Sequence, residues 1–139
     1  MKVVVDASVV AKWFNVEEYS DKAVELKNAH VKGVVKIVAP IHLIYEVGNS
    51  IWKNKQLNVE DASEAISLLL ELNLELISPS RKSVKRTMEI ARERKMTFYD
   101  ASYVQLAEEN NLTLITADSK QLEKSKDIVD VTHVKDFTI

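Results

Sequence analysis

Four acidic residues stand where a carboxylate has more to do than solvate a surface. Asp6 ends the run Lys2–Val5 (KVVV), and Glu46 interrupts the apolar stretch IYEVGNSIW. Asp100 lies three residues after Thr97, and Asp118 follows the run LTLITA. Carboxylates gathered in one place repel, so they must protonate or bind a cation. A ligand set made only of oxygens favours Mg²⁺ or Mn²⁺ over zinc. Such a cation lowers the pKa of a bound water and stabilises the transition state of phosphate transfer. Ser8, Thr116 and Asn49 lie near these acids in sequence or along a helix, where they can orient a ligand or a water. Local hydrogen bonding to backbone is the commoner role for any one of them.

Three of the acids also have a structural reading. Asp6 suits the N-cap of a helix beginning near Ser8, a contribution of about 0.5–2 kcal/mol. Thr97-x-x-Asp100 has the spacing of a capping box, and the helix dipole favours an acid in the first turn. Asp118 can cap the helix after it, with Gln121 reciprocating. Glu46 is expected mid-helix, where it caps nothing. It shares a narrow polar stripe with His42, Asn49 and Lys53, and a thin solvated face is its alternative.

The elements that must position these residues follow from the apolar pattern. Short continuous apolar runs at 2–5, 34–38, 74–77, 112–115 and 128–131 predict strands buried on both faces. Helices are expected over 8–14, 21–32 capped by Ser20, and 41–54 with Pro40 in its first turn. Gly33 is placed as the left-handed residue that ends the helix capped by Ser20. Further helices follow Asn58, Ser80, Thr97 and Asp118. Gly48 is expected to admit a neighbouring backbone. Trp13, Phe14, Tyr45 and Trp52 are assigned mainly to the core, with a minority at a groove or dimer face. Strands alternating with helices predict a three-layer α/β/α sandwich around a mainly parallel sheet. Ligands of such sheets bind beyond the carboxyl ends of the strands, which is where Asp6 and Asp118 fall.

The 139 residues predict one domain over 1–139, large enough for a core of its own. No cysteine is present, so disulfides and thiolate zinc sites are excluded. No apolar run reaches membrane-spanning length and the N-terminus lacks a signal-peptide layout, so a cytoplasmic location is expected and no membrane partner. A net charge of −2 argues against a protein that coats DNA electrostatically. Positive charge is instead local: Arg81, Lys82, Lys85, Arg86, Arg92, Arg94 and Lys95 precede Thr97. Arg92, Arg94 and Lys95, nearest the helix of Asp100, are the expected phosphate contacts; a solvated basic face is the alternative. His30, His42 and His133 show no ligand spacing and are assigned no chemistry.

In their order, VVVDASVVAKWF, IYEVGNSIWK, TFYDASYVQLAEENN and LTLITAD make the chain resemble the PIN-domain ribonucleases. It most resembles the small VapC toxins of prokaryotic toxin–antitoxin pairs. By position, Asp6, Glu46, Asp100 and Asp118 match that family's metal-binding acids. Ser8 and Thr116 match its hydroxyl positions, and Asn49 its polar residue after the glutamate. The resemblance implies Mg²⁺- or Mn²⁺-dependent cleavage of RNA, a homodimer and a neutralising antitoxin. Some relatives carry another acid soon after the Asp118 position; here Ser119, Lys120 and Gln121 follow, which puts a second tightly held metal in doubt. The competing reading is a catalytically silent PIN-like domain that binds RNA or a partner. A haloacid-type phosphatase would need an acid at position 8, and a receiver domain a lone Asp after the strand at 74–77; neither is present.

Overall fold

The short apolar runs pair side by side, all in one direction. The computed structural model describes residues 1–139. Its sheet has five strands: β1 (Lys2–Val5), β2 (Lys36–Pro40), β3 (Glu75–Ile77), β4 (Thr113–Thr116) and β5 (Val131–His133). They lie in the order β3-β2-β1-β4-β5, and every pair is parallel. The chain therefore moves outward from β1 to β3 on one side, then crosses back to place β4 on the other. Right-handed crossovers put the helices of these two excursions on opposite faces of the sheet. The result is the expected three-layer α/β/α sandwich.

Seven α-helices connect the strands: α1 (Ala7–Val10), α2 (Ser20–Val31), α3 (Leu43–Lys53), α4 (Val59–Glu71), α5 (Arg81–Arg94), α6 (Phe98–Asn110) and α7 (Ser119–Ser125). The central β1 is almost wholly buried: Val3, Val4 and Val5 are at most 2% exposed. They join Val9, Leu26, Ile37, Leu43, Leu114 and Ile115 in a core cluster of 27 residues. This explains a β-branched run with no polar alternation, because both sheet faces are covered.

Local signals are used much as expected at several ends. Asn58 accepts the Asp61 N–H at 2.8 Å to cap α4. Ser80 and Ser83 cap α5 reciprocally, and Thr97 accepts the Asp100 N–H at 3.1 Å to cap α6. Gly33 holds φ 78° just past α2, the left-handed stop that glycine adopts without strain.

Elsewhere the structure corrects the pattern. Ser20 does not cap α2: Tyr19 takes that position at φ 65°, and the Ser20 hydroxyl instead accepts the Glu17 N–H at 2.9 Å. Pro40 does not open a helix but ends β2, in register with Ile77. Its fixed φ suits either place, and at the end of a strand the missing N–H is tolerated. As a result α3 begins only at Leu43, and Glu46 lies in its first turn rather than its middle. Gly48 admits no backbone; a methyl group on its Cα would first meet Ile66 Cδ1 of α4, at 3.7 Å. The last strand falls at Val131–His133, later than the run 128–131. Tyr45 and Trp52 leave the core altogether and are 82% and 73% exposed.

Candidate active site

Asp6 stands at the carboxyl end of β1, at the point where the strand order reverses between β2 and β4. That reversal opens a crevice in a parallel sheet. Asp6 is only 6% exposed, and both of its oxygens are engaged. Oδ1 accepts the Ser8 N–H at 3.1 Å and the Ser8 hydroxyl at 2.5 Å. Oδ2 accepts the Thr116 hydroxyl at 2.5 Å. The two hydroxyls then act as acceptors: Ser8 Oγ from the Ala117 N–H at 2.9 Å, and Thr116 Oγ1 from the Asp118 N–H at 3.0 Å. A closed ring of hydrogen bonds thus ties the end of β1 to the end of β4. The capping role of Asp6 is real, and it is one edge of this ring.

Asp118, exposed at the mouth of the crevice, caps α7 through one oxygen. Its Oδ1 accepts the Lys120 N–H at 2.9 Å and, more weakly, that of Gln121 at 3.4 Å. The side chain of Gln121 does not return the bond. It donates from Nε2 to the Asp100 carbonyl at 3.0 Å, fastening the start of α6 to α7.

The four acids feel one another through Asp100. Burial raises its pKa first, then the charge of Glu46, and that of Asp118 adds to the effect. Burial likewise pushes Asp6 up to about 6 against the pull of the Ser8 and Thr116 hydroxyls, with Asp100 adding repulsion. No lysine or arginine forms an ion pair with any of the four. Negative charge therefore accumulates at one edge of the sheet without a direct ion pair, although the charge of Lys124 works against the shift at Asp100.

Two residues without chemistry in the sequence pattern complete the neighbourhood of Glu46. Tyr103, on α6 and 1% exposed, donates its hydroxyl to Glu46 Oε1 at 2.7 Å. His42 Nδ1 lies 2.7 Å from the same oxygen, at an angle outside hydrogen-bond geometry, and has no other partner. The His42 ring packs edge-on against Tyr99 and Tyr103, at centroid distances of 5.2 and 5.3 Å. The spacing of His42 four residues before Glu46 was the available signal for that contact; nothing in the sequence pairs Tyr103 with α3.

Asn49 lies on the exposed side of α3, and its side chain makes no hydrogen bond. Among the basic residues, Arg94 is committed to Asp127, with Nη1 at 2.6 and 2.7 Å from its two oxygens. Arg86 grips Glu108 at 2.7 and 2.9 Å. Arg92 and Lys95 are exposed and make no ion pair.

The donor set fits a hard divalent cation in its chemistry: all oxygen, strongly negative, and partly shielded from water. No three His, Asp or Glu side chains are gathered closely enough to enclose an ion unaided.

Residues 3–127 match the family model described as the PIN domain. Over 98 residues the chain is 41% identical to exonuclease VapC9 of Pyrobaculum aerophilum, covering 68% of this chain and 71% of that protein. Over 132 residues it is 31% identical to ribonuclease VapC3 of the same organism, covering 89% and 95%. The crystal structure of VapBC2 from Rickettsia felis, bound to a DNA fragment from its promoter, superposes with a TM-score of 0.72. That match has 17% identity over 96% of this chain and 98% of the other.

Proposed function

The chain belongs to the PIN-domain family, and from that premise we propose that it is a divalent-metal-dependent ribonuclease, the toxin of a VapBC-type pair. The observation that carries this reading is the hydrogen-bonded ring at the strand reversal. It fixes one buried carboxylate near Asp100, which is itself raised by Glu46 and Asp118, and none of the four makes an ion pair with a lysine or arginine. The names of the two Pyrobaculum relatives, ribonuclease and exonuclease, support nuclease chemistry.

In this reading Asp6, Glu46, Asp100 and Asp118 bind the cation, Mg²⁺ or Mn²⁺. When bound, the cation supplies an activated water and neutralises charge on the phosphate. Asp6 is the fixed point, because Ser8 and Thr116 hold both its oxygens and prevent it from rotating away. Asn49 orients water or phosphate from the exposed side of α3. Arg92 and Lys95 hold phosphates outside the acidic crevice. Arg94, already paired with Asp127, contributes through that pair to the shape of the basic surface.

The chain acts as a single domain over 1–139, in the cytoplasm, on RNA. Its protein partners are an antitoxin and a second copy of itself. The exposed aromatics Tyr45 and Trp52 on α3 support a protein-binding face, since aromatics are enriched at interfaces. No helix is long and apolar enough to cross a membrane.

The test is cleavage of a linear RNA pool and of a circularised RNA, titrated with Mn²⁺, with Asp6→Asn alongside. Metal-dependent cutting of both substrates by the wild type, reduced about 10²-fold or more in the variant, is expected. Cutting of the linear pool alone makes the enzyme an exonuclease. A wild type that binds Mn²⁺ and cuts neither is a silent domain.

A further inference from the structure

Glu46 is held differently from the other three acids, and the difference points to a division of labour between its two oxygens. Oε1 accepts the Tyr103 hydroxyl at 2.7 Å, while His42 Nδ1 lies at the same distance but outside hydrogen-bond geometry. Oε2 has no hydrogen-bond partner at all. We propose that Tyr103 is a positioning residue which, with the His42 ring packed against it, locks Oε1 and leaves Oε2 as the single oxygen that Glu46 offers to a cation. The inference rests on the proposed metal-binding role of Glu46.

The holders are themselves held. Tyr103 is buried in the core on α6, so its ring cannot swing away. Ser102 gives its proton to the Tyr99 carbonyl at 2.5 Å, and its oxygen lies 2.6 Å from His42 Nε2. It therefore accepts from that nitrogen, which fixes the orientation of the ring beside Glu46. Tyr99 and Tyr103 pack on the ring from two directions. Glu46 is oriented from α6 through the Tyr103 hydroxyl. Because α6 also carries Asp100, a single helix sets the relation between two ligands.

Without the phenol, the Glu46 side chain regains rotamers that the hydrogen bond to Tyr103 excludes, and affinity falls. The experiment measures Mn²⁺ binding to the full chain by electron paramagnetic resonance. It compares the wild type with Tyr103→Phe, Glu46→Gln and the double variant. Melting in EDTA reports folding separately. Loss of a group that orients a ligand weakens metal binding about 10- to 100-fold, and Tyr103→Phe is expected to fall in that range. In the Glu46→Gln background the same change is expected to have no further effect, because it acts only through that carboxylate. Ser102→Ala, on the helix surface, relaxes the His42 ring without touching the core; a weakening of a few-fold is expected. A folded Tyr103→Phe that binds Mn²⁺ like the wild type overturns the proposal. So does an equal loss in both backgrounds. If Tyr103→Phe does not fold, unchanged affinity in Ser102→Ala overturns it. Failure of the underlying reading looks different: Glu46→Gln itself leaves Mn²⁺ binding intact, or the wild type binds none.

Discussion

Asp6 combines two roles that usually compete. As a cap it satisfies a helix N–H, and as a buried acid it costs free energy to ionise. Its pKa stands at about 6 against 3.8 for the free side chain, chiefly through burial. The folded state thus binds the proton more tightly than the unfolded chain does. By linkage, this stabilising contribution is complete below pH 3.8 and is lost as pH rises through about 6. The loss is on the order of 3 kcal/mol. Asp100, shifted in the same direction by burial and Glu46, adds to it. Metal-free protein is therefore expected to melt at progressively lower temperature between pH 4.5 and 7.5. Asp6→Asn, with no charge to bury, is expected to show a shallower slope. Parallel curves for the two proteins, measured by circular dichroism in EDTA, would contradict this. At this scale Asp6, Glu46 and Asp118 stood out in the sequence because each followed a strand or broke an apolar pattern, and Asp100 only by its spacing from Thr97. His42 and Tyr103 did not, because their role depends on α3 meeting α6 across 57 residues of chain.

Among the elements, α3 shows where pattern reading stops. Its apolar residues surround most of the circumference, which on sequence grounds predicts burial all round. In the fold only Leu43, Val47 and Ile51 are buried, along one stripe. Tyr45 and Trp52 face outward, a distribution that periodicity cannot distinguish from a buried helix. Pro40 misled for a related reason, since its backbone geometry serves a strand end as well as a first turn. The caps formed by Asn58, Ser80 and Thr97 were readable because they depend on residues within one turn. The glycines give a paired prediction. Gly48 lies in α3, where an added methyl meets only Ile66 Cδ1 at ordinary contact distance. Gly48→Ala is expected to stabilise by about 1 kcal/mol, raising the melting temperature by about 3 °C. Gly33→Ala, at φ 78°, is expected to destabilise by about 1 kcal/mol although open space surrounds it. Thermal melts of both variants check the signs.

For the molecule as a whole, alternating strands and helices carried the architecture. Five short apolar runs between helical segments leave few arrangements besides a parallel, covered sheet. The order of the strands was not readable from the runs themselves, and it is the order that brings β1 and β4 together. A cation that binds the folded acids and not the unfolded chain must stabilise the whole fold. At a free concentration 100 times its dissociation constant, the gain is about 2.7 kcal/mol. Mn²⁺ is therefore expected to raise the melting temperature at pH 7.5, and EDTA to reverse it. Little or no Mn²⁺-dependent shift is expected for Asp6→Asn, whose net loss of one negative charge removes the fixed ligand. An equal shift in both proteins would assign the stabilisation to some other site.

The ring that joins Asp6 to Thr116 spans 110 positions of the chain. During synthesis the first strand leaves the ribosome long before its partner exists. Until β4 has been made, Asp6 lacks the Thr116 hydroxyl, and Asp118 has not been added. A nascent chain, or one released early by a truncated message, holds at most three of the four acids and cannot close the ring. On the proposed function, this order of assembly leaves the acid site incomplete while the protein's own message is still being read.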